Sequence, residues 1–370
     1  MKQKLLLVLF GSVCGALLSG VTYLLFPALY TTAALSSGQK FDSIDDLRKS
    51  MVATTSQDRR SDGSVSLRTI VQPNLSDRII YELKPNITER FEHVMITTNS
   101  FGLRSPEILV KKPTDTYRVA VLGDSYAFGW GVEQDRPFSR VMEAELNRNQ
   151  NGRRFEVLNF GVPGYATFQE VAQFLEKGAQ FAPDAVVVYV ISNDFHLPFF
   201  IRDLNGNDPS ALVTSPTFHN TTVDPQDAEK LAKRQDLLKA LDANRALVEL
   251  GRYCREEGIR LFVVVHPDSA EQKTRQRLWA LSNKENRALM TSWKISKEYQ
   301  ELVAKGIVPE ESLKLPRDHH PGPGAHRLIG MILAQKLQNA LDAPAPTEKH
   351  PAKARRHPAQ VNGSLQRTGF

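Results

Sequence analysis

From residue 117 to residue 341 the chain alternates short apolar runs with stretches of helical spacing. Tyr117–Leu122 (YRVAVL) predicts a strand ending at Gly123, and Phe138–Leu146 has the spacing of a helix. Phe155–Phe160 (FEVLNF) predicts a second strand, with a helix over Thr167–Gln180. Asp184–Ile191 (DAVVVYVI) is almost continuously apolar, the pattern of a strand buried on both faces. A helical stretch over residues 226–256, a fourth strand over Leu261–Val265 (LFVVV) and a closing helix over Gly324–Leu341 complete the series. Such alternation predicts an α/β domain, a parallel sheet with helices on both faces. Further upstream, Ile79, Ile80, Tyr81 and Leu83 look strand-like, and Asn99–Phe101–Gly102 suggests a turn.

The first segment has a different pattern. Lys2 and Lys4 are followed by no charge until Lys40, and Leu5–Leu29 is mostly apolar. As a helix this run reaches roughly 37 Å, enough to cross a hydrocarbon core of ~30 Å with some tilt. Basic residues before the run and none just after it place the N-terminus in the cytoplasm. The expectation is a single-pass signal-anchor over 1–29, with the remaining chain extracytoplasmic, in the periplasm or outside the cell. A cleaved signal has a shorter apolar core, although Thr31–Ala34 are small enough to host a cut. Residues 30–76, rich in Ser, Thr and Asp, read as a tether, and 77–342 as the folded domain. Residues 343–370, rich in Pro, Ala and basic side chains, read as a disordered basic tail.

Composition narrows the function classes. The chain has 370 residues, 41% hydrophobic and 24% charged, ordinary for a globular protein. Its two cysteines, Cys14 and Cys254, cannot build a disulfide framework or a cysteine-based zinc site. The net charge is +6, but the tail holds five Lys/Arg against one Glu, so four of those charges sit there. A nucleic-acid-binding face on the domain is therefore not expected.

In open α/β sheets, sites form beyond the carboxyl ends of the strands. After the first strand comes Gly123-Asp124-Ser125, where a serine at a strand-to-helix turn either presents its hydroxyl at the sheet edge or caps the helix. After the second comes Gly161-Val162-Pro163-Gly164-Tyr165, whose glycines let a substrate oxygen approach main-chain N–H groups. After the third comes Ser192-Asn193-Asp194, an Asn/Asp turn or an amide donor into the same space. Near the C-terminus stands Asp318-His319-His320-Pro321, a histidine beside a carboxylate that can orient it as a general base. A metal site built from Asp318, His319, His320 and His326 is the rival reading, and no further ligand cluster accompanies it.

Taken in order, the blocks VLGDSYAFGWGV, VLNFGVPGYATFQE, VVVYVISNDF and DHHPGPGAHRLIG resemble those of the SGNH (GDSL-type) hydrolases, from Tyr117 to Leu341. The resemblance implies that family's fold, a flavodoxin-like three-layer parallel sheet, and a membrane-tethered bacterial member. It implies Ser125 as nucleophile, His320 as base and Asp318 as its orienting carboxylate. The oxyanion hole would be the N–H groups of Ser125 and Gly164 with the Asn193 amide. It implies no metal and no organic cofactor. His319 is a rival base, but Pro321 and His326 match the family's His-Pro register and favour His320. Gly322, Ala325 and Ile191 depart from the residues usual at those positions.

These residues predict a serine ester hydrolase acting on an O-acyl or O-acetyl ester of a carbohydrate or lipid. Phe195 and Phe199 are candidates to wall the acyl pocket or stack on a sugar ring. The expected partner is an acylated small molecule or glycan, with an acylated cell-envelope glycan the reading by family resemblance. If an incoming sugar hydroxyl replaces water, the same centre is an O-acyltransferase. A non-catalytic envelope binding domain is the third reading.

Overall fold

The computed structural model describes residues 59–343, apart from 77, 149–151, 192–193, 195–241, 268–287, 317 and 319. The Leu5–Leu29 run, residues 30–58, the tail from residue 344 and the stretch 226–241 lie outside the described residues. Among the described residues no helix is long and apolar enough to cross a membrane.

The chain folds earlier than its pattern suggests. A short helix α1 (Leu67–Ile70) leads into β1 (Val71–Pro73), which pairs antiparallel with β2 (Tyr81–Leu83). A second pair, β3 (Thr88–Phe91) and β4 (Val94–Thr97), closes through Glu92 and His93, both at positive φ as a two-residue hairpin demands. Val65, Ile70 and Val71 are fully buried, together with Ile79, Tyr81, Phe91 and Ile96. The tether reading of 30–76 therefore fails for residues 59–76, which belong to the folded domain. They carry neither helix nor strand periodicity, and their burial comes from partners distant in sequence, such as Val162, Tyr165 and Ala172.

The main sheet is parallel. Its strands are β5 (Thr116–Leu122), β6 (Arg154–Asn159), β7 (Ala185–Val190), β8 (Arg260–Val265) and β9 (Thr291–Trp293), in the spatial order β6-β5-β7-β8-β9. β7 is buried along its whole length between β5 and β8. Alternate side chains go to opposite layers: Val186, Val188 and Val190 into one core, Val187 and Tyr189 into the other. After the four-residue helix α2 (Ser125–Phe128), α3 (Phe138–Arg148) covers the second core with Phe138, Met142 and Leu146, one helical face at i, i+4, i+8. On the first core lie α4 (Thr167–Gln173) and α5 (Ala243–Glu256). Beside α3 lies α7 (Pro323–Asp342), and α6 (Ser296–Ala304) packs against α7. This is the expected three-layer α/β arrangement.

The differences are local. The helix expected over Thr167–Gln180 is α4 followed by a π turn over Phe174–Gly178 and a 3-10 turn over Ala179–Phe181. β9 is only Thr-Ser-Trp and shows no apolar run; it is recruited by Trp293 stacking on Phe262 at 4.0 Å. The order β6-β5-β7 puts the chain's reversal at the carboxyl end of β5, which is where such sheets carry their sites.

Candidate active site

Ser125 lies at that point as the first residue of α2. It does not cap the helix. Asp124 does, its Oδ1 accepting the Tyr126 N–H at 2.9 Å, which leaves the serine hydroxyl free for other work. Ser125 is buried to 6% exposure, and its Oγ lies 2.9 Å from His320 Nε2 and 3.2 Å from Asp124 Oδ2.

His320 reaches Ser125 from the loop before α7. Its Nδ1 lies 2.6 Å from Asp318 Oδ1, and the same oxygen accepts the His320 backbone N–H at 3.0 Å. A spacing of two thus suffices, because the carboxylate folds back onto both the ring and the main chain of His320. The Trp130 indole N–H donates to the other oxygen, Asp318 Oδ2, at 3.1 Å. Burial alone would raise the Asp318 pKa, but these donors outweigh it and hold the carboxyl below its ordinary value. The carboxylate is thus charged at neutral pH and keeps the imidazole in the tautomer whose Nε2 faces Ser125.

Two other described histidines stand near the centre and are silent. Burial, helped by Lys314, pushes His266 down to about 3, and burial with Arg104 and the other two histidines pushes His326 down to about 3. His326 Nδ1 accepts the Phe138 N–H, and His266 Nδ1 bonds the Tyr189 hydroxyl. The rival metal set is therefore dispersed: Asp318 and His320 bond each other, His326 serves α3, and His319 lies outside the described residues.

Gly164 belongs to a loop tied to the same sheet edge. The Val162 N–H bonds Gly123 O, and Gly161 packs so closely on Phe128 that a Cβ there would lie 2.2 Å from the Phe128 nitrogen. Gly164 itself adopts φ +79°, a left-handed turn suited to glycine. The N-terminal unit clamps this loop: the Tyr81 hydroxyl donates to Pro163 O at 2.9 Å, the Tyr165 hydroxyl bonds Tyr81 O, and the two rings meet edge to face at 5.1 Å. Asn193, Phe195 and Phe199 lie outside the described residues. Their neighbour Asp194 is described, and its Oδ2 accepts the Ile191 N–H at 2.5 Å.

Behind Ser125, three buried carboxyls gather: Asp124, Glu170 and Asp194. Burial first, then the neighbouring carboxylate Asp194, raises Glu170 well above its usual range; burial and Asp124 raise Asp194. A carboxyl whose folded pKa is raised binds a proton more tightly folded than unfolded. Its contribution to stability is intact in acid and is lost as pH climbs past the ordinary carboxylate value toward the raised one. Glu170→Gln, which keeps a neutral donor, is expected to raise the melting temperature at pH 7.5 by about 2–4 °C for each kcal/mol of relief. The gain should vanish near pH 4; an equal gain at both pH values in a thermal melt would mean that Glu170 is not protonated in the fold.

Residues 121–292 match the profile described as the GDSL-like Lipase/Acylhydrolase family. This domain belongs to that family. The GDSL-like lipase/acylhydrolases cleave esters, and this protein is an ester-hydrolysing enzyme. No curated protein matches the chain significantly. Solved structures do. A GDSL-like lipase from Bacteroides thetaiotaomicron is 14% identical, covering 63% of this chain and 93% of its own, with a TM-score of 0.35. A psychrotrophic esterase from Pseudoalteromonas is 11% identical, covering 61% and 99%, with a TM-score of 0.38. A two-domain esterase active on acetylated mannans is 14% identical, covering 65% of this chain and 54% of its own, with a TM-score of 0.40.

Sequence reasoning missed Trp130, Asp124 as the cap, Arg104 and the Tyr81 clamp. Only Trp130 leaves a trace in the sequence, the doublet Gly129 and Gly131 around it. Both glycines are left-handed, at φ +89° and +65°, and together they turn the indole toward Asp318. Arg104, fully buried, holds this turn by donating to the carbonyls of Phe128, Gly129 and Val132.

Proposed function

We propose that this GDSL-type enzyme is a serine esterase of acylated cell-envelope glycans, working through Ser125, His320 and Asp318. The observation that carries the proposal is the unbroken relay from Ser125 Oγ to His320 Nε2 at 2.9 Å and from His320 Nδ1 to Asp318 Oδ1 at 2.6 Å. A binding domain without catalysis has no use for such a relay.

In this reading His320 takes the Ser125 proton as Oγ attacks the ester carbonyl. The tetrahedral oxyanion is received by the N–H groups of Ser125 and Gly164 and by the Asn193 amide; losing one such donor typically costs roughly 10²–10³ in rate. The Gly164 N–H has no hydrogen-bond partner among the described residues, as a donor reserved for substrate should not. His320, now protonated, passes its proton to the leaving alcohol, and water repeats the sequence on the acyl-enzyme.

The envelope glycan is inferred from the first segment. An apolar run over Leu5–Leu29 behind Lys2 and Lys4 anchors the chain and leaves the catalytic domain extracytoplasmic, where acylated glycans are the ester-rich polymers. Two measurements test the two halves. The purified full chain should release acetate from a chromogenic acetyl ester and from an O-acetylated polysaccharide. Transfer of the acetyl group to an added glycan acceptor, with no net hydrolysis, would instead make it a transferase. Reporter fusions after Gly38 should be active only outside the cytoplasm; a signal from a cytoplasmic reporter alone would overturn the location and leave the esterase chemistry standing.

A further inference from the structure

Of the described groups around the relay, only Trp130 touches both members of its proton-accepting half. Its indole N–H donates to Asp318 Oδ2, and its ring lies on the His320 imidazole, the planes 12° apart and the centroids at 4.9 Å. Its position is fixed from three sides. The edge of Phe91, from β3, meets it at 4.8 Å, so the N-terminal unit backs it. The turn on either side is made by Gly129 and Gly131. A Cβ on Gly131 would lie 2.5 Å from the Leu315 side chain, so this turn also packs against the loop that carries Asp318. Arg104 holds the turn's carbonyls from within the core.

We propose that Trp130 is a positioning residue for this centre: it fixes the Asp318 carboxylate through its N–H and the His320 ring through its face. The proposal rests on the serine-esterase reading for its consequence on rate, but not for its consequence on the histidine. With Oδ2 held by the indole, Oδ1 is left to face His320 Nδ1. With one face of the imidazole covered, Nε2 keeps its aim at Ser125. The ring face also attracts positive charge, so it stabilises the imidazolium that forms when Ser125 gives up its proton more than the neutral imidazole that precedes it. That difference acts on the transition state rather than on substrate binding. Among the described residues, the other groups facing His320 are Ser125 and Tyr126 from α2, the latter with its ring centroid at 5.3 Å, and Asp318 on its own loop; His266, beyond Tyr126, is neutral.

Two variants separate the contributions. Trp130→Phe keeps a ring over His320 and removes the N–H; Trp130→Ala removes both. In the full chain, sites are counted by labelling with a fluorophosphonate, and kcat is expressed per labelled serine. Trp130→Phe is expected to lower kcat by about tenfold with KM within twofold, and Trp130→Ala by a further tenfold or more. Ring-nitrogen NMR of His320 gives a readout that needs no turnover. The wild type and Trp130→Phe should hold the Nδ1-protonated tautomer. Trp130→Ala should mix tautomers, because both variants lack the N–H and only Trp130→Ala lacks the ring face. Unchanged kcat per labelled serine in both variants, or one tautomer shared by Phe and Ala, would overturn the proposal. If the wild type hydrolyses no ester and takes no label, the serine-esterase reading fails, and the NMR comparison still decides the role of Trp130.

Discussion

Ser125→Ala is expected to abolish ester turnover, with a loss of roughly 10⁴–10⁶ in kcat, while the melting curve stays that of the wild type. The size of the effect follows from the geometry. The hydroxyl is the one group at the carboxyl end of β5 that lies within hydrogen-bond reach of His320 Nε2, and no neighbouring side chain among the described residues can replace it as a nucleophile. Tyr126 points its ring between His320 and His266, and Asp124 is committed to capping α2. The small effect on stability follows from what the hydroxyl leaves behind. Removing it frees one acceptor on Asp124, which keeps its bond to the Tyr126 N–H, and one imidazole nitrogen that remains held through Asp318. What activity persists comes from binding and the oxyanion donors alone. Measured kcat within tenfold of wild type, with a normal melt and continued fluorophosphonate labelling, would remove Ser125 from the mechanism.

The sheet was legible because its strands are buried on both faces. YRVAVL, FEVLNF, VVVYV and LFVVV are apolar enough to be read without partners, and β5 to β8 lie within a residue or two of the expected limits. β9 was not, since three residues carry no period, and α6 buries no residue fully. Of the N-terminal unit, β2 was legible as strand-like and the part before it escaped for another reason. Val65, Ile70 and Val71 are buried with residues about 90 to 100 positions away, such as Val162 and Tyr165, and a local pattern records nothing of that. The apolar run Leu5–Leu29 and the tail from residue 344 lie outside the described residues.

The site divides along the same line. Ser125, Asp318 and His320 were legible because they stand near strand ends and the start of the last helix and because the blocks around them resemble those of the SGNH hydrolases. The relay among Ser125, His320 and Asp318 then appears as direct contacts. Trp130, Arg104 and Tyr81 do their work through tertiary contacts: an indole on a carboxylate 188 positions away, a guanidinium on a turn, a phenol on Pro163 O. No spacing rule reaches across such distances. Asn193, Phe195 and Phe199, expected to complete the oxyanion hole and the substrate wall, lie outside the described residues.

The register of the last block decides the second large effect. His320→Ala is expected to be as damaging as Ser125→Ala, and His319→Ala to stay within about threefold of wild type, since a nucleophile and its base act as one unit. Asp-His-His-Pro offers two imidazoles, and the resemblance to the family's His-Pro register prefers the second. The geometry gives the physical reason: Asp318 Oδ1 accepts both the backbone N–H and the ring of His320, so the loop closes on the residue two positions on and aims its Nε2 at Ser125 Oγ. Neither of the other described imidazoles near the centre can step in, because His326 Nδ1 takes the Phe138 N–H and His266 is bonded to Tyr189, both neutral at working pH. Combining Ser125→Ala with His320→Ala should therefore cost little beyond either change alone. Steady-state kinetics on the three single variants and the double variant check this. His319→Ala as the more damaging of the two histidine changes would move the base by one residue and break the link between Asp318 and catalysis. Near-additive losses in the double variant would mean that Ser125 and His320 do not act on the same proton.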